Sequence, residues 1–231
     1  MKEILYDCSR KMSELLTEEP GLIRILQRAG IPLGIGDGSI GQVCRKHGVN
    51  PDFFMLLCNI YTHENYAPTL SRVLETPMAQ LVPYLKASHD YYVSKRLPHI
   101  EQHLHHIARQ LPAKAADVFM RFFESYKREV TDHFAHEEQL VFPHVEALQR
   151  GEADTNYSIA TFIDSHGNLE DKLNDLVQII FKYLPGAVTS EDSVDVVYDI
   201  LQVSSDLNKH SLIEEKVLVP YVKHLEEVVS R

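Results

Sequence analysis

The chain has 231 residues, 44% of them hydrophobic, with 23 Lys and Arg against 33 Asp and Glu and a formal net charge of −10. That length and composition suit a globular protein of one large domain, or a domain with a small companion. The acidic balance, with no concentrated basic patch, argues against nucleic acid or an anionic membrane surface as partner.

The start, MKEILYDCSRKMSELL, mixes charge with apolar residues instead of forming a signal peptide, and no apolar run reaches membrane-spanning length. A cytoplasmic protein is expected. Cys8, Cys44 and Cys58 are odd in number and lack a CxxC pair, so they read as small buried hydrophobes, not as a disulfide framework or zinc knuckle.

Apolar residues recur at spacings of three and four throughout, and alternating strand patterns are nearly absent, so an all-α protein is expected. Residues 1–75 read as a small helical N-terminal domain of four or five short helices. Its breaks fall at Glu19-Pro20-Gly21, Gly30 through Gly41 and Asn50-Pro51. Gly34-Ile35-Gly36-Asp37-Gly38 reads as a turn, because it lacks both phosphate-loop spacing and a preceding strand. After Thr76-Pro77, four long periodic stretches cover about 79–110, 113–149, 156–184 and 190–229, split at Leu111-Pro112, Gly151 through Thr155 and Pro185-Gly186. Short connections make successive helices antiparallel neighbours, which predicts an up-down-up-down four-helix bundle over residues 78–231.

Residues 133–148, HFAHEEQLVFPHVEAL, align with residues 210–225, HSLIEEKVLVPYVKHL, at an offset of 77. His133/His210, Glu137/Glu214, Glu138/Glu215 and Pro143/Pro220 are identical pairs, and the same offset matches Ser88-His89 to Ser165-His166. The chain therefore carries a duplicated helix pair. Each predicted core stripe is interrupted by these polar residues: Leu85, His89, Tyr92 on the first helix; Val130, His133, Glu137, Leu140 on the second; Phe162, His166, Leu169 on the third; Leu207, His210, Glu214, Val217, Tyr221 on the fourth. Equal distances from the turns place all four His and both Glu at one level of the bundle.

A lone core His or an i, i+4 His/Glu pair would be unexceptional. Two buried carboxylates, however, need compensating positive charge, and no Lys or Arg sits in the stripes beside them. A metal supplies it. Four imidazoles and two carboxylates exceed the needs of one tetrahedral zinc and suit two ions, each with two His and with Glu bridging. Two non-haem iron ions are the expectation, with manganese or zinc as alternatives, and an open position for a small ligand such as O2 or NO. His99, His103, His105 and His106 lie ~15–25 Å along the helix from His89 and read as a solvated face. Glu138 and Glu215, just off the stripes, are placed to hydrogen-bond ligand His. Pro98, Pro143 and Pro220 are expected to kink their helices or end the straight part of each.

The repeated His-x-x-x-Glu-Glu followed by Pro, with upstream His89 and His166, resembles the hemerythrin-like, HHE cation-binding family over about residues 80–228. Within it, the chain is similar to the di-iron proteins that repair iron–sulfur clusters under nitrosative or oxidative stress. That resemblance implies iron ligation by His89, His133, His166, His210, Glu137 and Glu214, and damaged iron–sulfur proteins as partners. Those relatives carry an adjacent Cys pair in a short N-terminal helical domain, where this chain reads Gly30 through Asp37 without one. An O2- or NO-binding sensor or carrier and a di-iron oxidase or peroxidase are the alternatives. Catalytic residues and oligomeric state stay open.

Overall fold

In the computed structural model, residues 5–63, 65–152, 157–165, 169–183 and 190–230 are described. Five short helices come first: α1 (Met12–Glu18), α2 (Leu22–Arg28), α3 (Ile40–Lys46), α4 (Pro51–Thr62) and α5 (Leu70–Glu75). Each starts and stops on local chemistry. Ser39 and Gln42 form a reciprocal capping box at the head of α3, and the Asn50 side chain accepts from the Asp52 and Phe53 amides ahead of a first-turn Pro51. Gly30 (φ 75°) and Gly48 (φ 71°) end α2 and α3 in the left-handed region, and the following amides of Ile31 and Val49 close back onto Leu26 and Cys44 carbonyls. Apart from an isolated bridge between Lys11 and Ser39, no strand pairing occurs among the described residues.

The long stretches follow as α6 (Leu81–Asp90), α7 (Leu97–Ala108), α8 (Ala113–His136), α9 (Phe142–Gln149), α10 (Ile159–Ser165), α11 (Leu169–Tyr183), α12 (Ser190–Ile213) and α13 (Val219–Val229). The turn at Pro185-Gly186 lies outside the described residues. No described helix is long and apolar enough to cross a membrane.

Three junctions are continuous π-helical turns: Tyr91–Arg96 between α6 and α7, Glu137–Val141 between α8 and α9, and Glu214–Leu218 between α12 and α13. In each, an amide reaches five residues back: Leu97 to Tyr92, Phe142 to Glu137, Val219 to Glu214. The next residue is Pro98, Pro143 or Pro220. A helical proline has no N–H to donate and its ring crowds the carbonyl four residues back, so a widened turn just upstream accommodates it without breaking the helix. Each proline thus marks where the regular α-helical part gives way to a π turn.

The extra residue in each π turn resets the core phase. A straight 3.6-residue stripe puts Leu140 and Tyr221 inside; instead Leu140 is 46% exposed and Tyr221 half-buried, while Val141 and Val222 are fully buried.

Contacts divide the chain into two units: Met1–Ala87 with Val145–Ile159 and Lys209–Arg231, and Ser88–His144 with Ala160–Asn208. In the first, α2 and α3 pack on α4, whose residues from Phe53 to Ile60 are all buried, and α5 packs on α13. The Lys216 ammonium donates to the Tyr66 carbonyl at 2.9 Å, and the Lys86 ammonium lies 3.2 Å from Glu146. In the second, four helices enclose one apolar core: Ile100 and Leu104 of α7, Phe119, Phe123 and Tyr126 of α8, Leu173 and Leu176 of α11, and Val196, Ile200 and Val203 of α12.

Cys44 and Cys58 are fully buried, and Cys8 is partly accessible. Burial pushes the Cys44 thiol up to about 12 and the Cys58 thiol well above its ordinary value, so neither forms thiolate near neutrality. Native protein at pH 8 should release one equivalent of chromophore from a thiol-specific disulfide reagent, from Cys8, and three after denaturation. Two or more fast equivalents from native protein would contradict this burial. The reset phase makes its own test: Val141→Ala should cost about 2 kcal/mol in denaturant unfolding, and Leu140→Ala no more than about 0.5 kcal/mol. The reverse order would restore the straight stripe.

Candidate metal centre

His89 closes α6, on the face of buried Leu81 and Leu85, and is itself 2% exposed. Its ring is fixed on every side that the second unit provides. Phe134 lies nearly parallel to it at 4.0 Å between centroids and 13°, and Phe142 at 5.3 Å and 18°. Nδ1 sits 2.9 Å from an oxygen of Glu138, and Nε2 3.0 Å from Glu137 Oε2. With Glu138 accepting the proton of Nδ1, the lone pair of Nε2 would be left to a cation taken up between the imidazole and Glu137. Glu138, expected from its off-stripe position to hydrogen-bond an interior His, is within hydrogen-bond distance of His89.

Glu137 is fully buried and stands where α8 passes into its π turn. Its two oxygens face different imidazoles, Oε2 towards His89 and Oε1 towards His133 Nε2 at 2.6 Å. His133 is 16% exposed, one α-helical turn before Glu137. One carboxylate is thus shared between two imidazoles, one on each oxygen.

The repeat recreates this on α12. His210, 2% exposed, lies one turn before the fully buried Glu214, with Nε2 3.1 Å from Oε1, and Glu214 again begins a π turn. His89, Glu137, His210 and Glu214 form a group in which each offers a ligand atom within 4.8 Å of the others. Of the six residues singled out from the sequence, the structure gathers these four and sets His133 on the second oxygen of Glu137. His166 lies outside the described residues, and so does any pairing between it and the exposed Glu215.

The donor set suits a cation. Among the described residues the one Lys or Arg classed as buried is Arg28 in α2, so no buried side-chain cation of that kind accompanies Glu137 and Glu214. Imidazole nitrogen with carboxylate oxygen is the ligand mixture of first-row transition ions, whereas calcium and magnesium take oxygen alone.

Sequence periodicity missed two features here. Asp206, 1% exposed, lies one turn before His210, so that Asp206, His210 and Glu214 form an i, i+4, i+8 ladder. That spacing was the available signal. Phe134 and Phe142 looked like ordinary core, and only the fold shows them against an imidazole. The patch on α7 is largely solvated as read: His99, His105 and His106 are exposed and His103 half-buried.

The family model described as hemerythrin HHE cation binding domain matches residues 81–222, more than half of the chain. A search of curated proteins found no match.

Glu138→Ala removes the partner of His89 Nδ1 without touching a proposed ligand. It should weaken metal retention about 10- to 100-fold against a competing chelator, with helicity unchanged by circular dichroism. Wild-type retention would show that the Glu138 contact does not orient the imidazole.

Proposed function

The chain belongs to the hemerythrin HHE cation-binding family, and from that premise we propose that it is a cytoplasmic di-iron protein that repairs iron–sulfur clusters damaged by nitrosative or oxidative stress. The observation that carries the metal reading is the buried group of His89, Glu137, His210 and Glu214. Two carboxylates at zero exposure cost several kcal/mol each if left uncompensated. A pair of ferrous ions offsets that charge and uses the His as neutral ligands.

In this reading His89, His133, His166 and His210 hold the ions in pairs, with Glu137 and Glu214 across them. Bound iron supplies reversible one-electron chemistry and a coordination position for O2 or NO. The protein's own residues do the rest. Glu138 holds His89 in one tautomer, Phe134 and Phe142 limit its rotation, and the apolar layers of α7, α8, α11 and α12 exclude water on the side of the second unit. The two Glu begin widened turns, in which the Phe142 amide donates to the Glu137 backbone carbonyl and the Val219 amide to that of Glu214.

A reading as an O2- or NO-binding sensor or carrier draws on a specific observation. Gly30 through Asp37 contains no Cys, and Cys44 and Cys58 are buried with raised thiol pKa, which leaves no accessible thiol pair in the N-terminal helices. Repair here therefore rests on the metal centre without a thiol pair to hand iron over.

Full-length protein loaded anaerobically with Fe(II) should contain two irons per chain by elemental analysis, and His210→Ala or Glu137→Ala should lose at least one. The loaded wild type should restore activity to a dehydratase whose iron–sulfur cluster has been destroyed by NO, under reducing conditions. Two irons with reversible NO binding but no restoration would replace repair by sensing. Unchanged iron in both variants would remove the site itself.

A further inference from the structure

We infer that the surface of the second unit carries a separate divalent transition-metal site, formed by His99 and His103 of α7 and Asp199 of α12. The three offer ligand atoms within 4.8 Å of one another. His99 and His103 are four residues apart on one helix, so both imidazoles project from the same face. Their centroids are 4.7 Å apart with planes at 78°, an edge-on arrangement that leaves the ring nitrogens free of stacking. Facing them, Asp199 Oδ2 lies 3.0 Å from His99 Nε2.

Ligand atoms at about 2.0–2.2 Å around a tetrahedral zinc stand roughly 3.4 Å apart, so the observed spacing requires only small side-chain rotations. The carboxylate is already oriented. Arg96, at the end of the first π turn, holds Asp199 Oδ1 at 2.6 Å and leaves Oδ2 to the imidazoles. Arg96 and Asp199 are 18% and 21% exposed, so this pair is partly shielded, while the 46% exposed His99 gives a hydrated ion direct access.

Two imidazoles and one carboxylate oxygen select Zn(II), Ni(II), Cu(II) or Fe(II) over calcium and magnesium, and three protein ligands leave at least one position for water. With His99 46% exposed, the site exchanges its ion more readily than one lined by buried carboxylates. It shares no residue with the buried group. His99 is ten residues beyond His89, about 15 Å along the helix. The α7 histidines are thereby divided: His99 and His103 chelate, and His105 and His106 remain solvated.

The test uses the full-length, iron-loaded protein and Zn(II) alone, titrated against a chromophoric zinc chelator, with iron content measured throughout. Wild type should bind one Zn(II) per chain that the His99→Ala/His103→Ala double variant lacks. Asp199→Asn should bind it about tenfold or more weaker, and Arg96→Gln should also weaken it, because orientation of the carboxylate is lost. His105→Ala should bind like wild type, and iron should stay constant in all five proteins. Circular dichroism melts establish that each variant is folded. Equal zinc binding by wild type and the double variant would overturn the site, as would an equal loss in His105→Ala, which would mean a diffuse histidine surface.

Discussion

Burying two carboxylates among apolar helices is the constraint around which this protein is arranged. Glu137 and Glu214 are both fully buried, in positions a straight amphipathic helix would give to Leu or Val. Leaving either ionised and uncompensated would cost a sizeable part of the 5–15 kcal/mol by which a typical domain is stable. The neighbouring residues answer that cost with imidazoles: His133 and His89 on the two oxygens of Glu137, and His210 on Glu214. All of these residues lie within the span matched by the hemerythrin HHE cation binding domain.

The π turns connect this polar layer to the apolar packing on either side of it. Two of them begin at a Glu and all three precede a Pro, so one local defect solves two problems. It relieves the steric conflict of a helical proline, and it rotates the later part of the helix by one residue so that Val141 and Val222 return to the core. The turn at Tyr91–Arg96 lacks a Glu but still precedes Pro98, which identifies the proline as the shared cause. Its last residue, Arg96, reaches Asp199, so that defect too sets the position of a charged group.

The short N-terminal helices and the long later ones also differ in how they are held. The short N-terminal helices depend on caps, left-handed glycines and the buried face of α4, as expected for segments too short to be stable alone. The long helices have few side-chain caps and owe their stability to long apolar stripes. Phe123, Ile200 and Val203 belong to an apolar cluster formed by hydrophobic side chains of several helices.

The sequence by itself determined the helical class, the breaks among the short N-terminal helices and the duplicated His-x-x-x-Glu-Glu pattern, because hydrophobic periodicity, Gly and Pro punctuation and an internal repeat are all local signals. It also marked out His89, His133, Glu137, His210 and Glu214, since polar residues inside an apolar stripe are visible without coordinates. Only the tertiary structure decided that Leu140 faces solvent, because a π turn changes helical phase without leaving a trace in the apolar spacing that precedes it. Only the tertiary structure joined His89 to Glu138, 49 residues away, and His99 to Asp199 across helices. Those pairings depend on how separate helices rotate against one another, a degree of freedom set by the packing of whole cores and not by any one segment of chain.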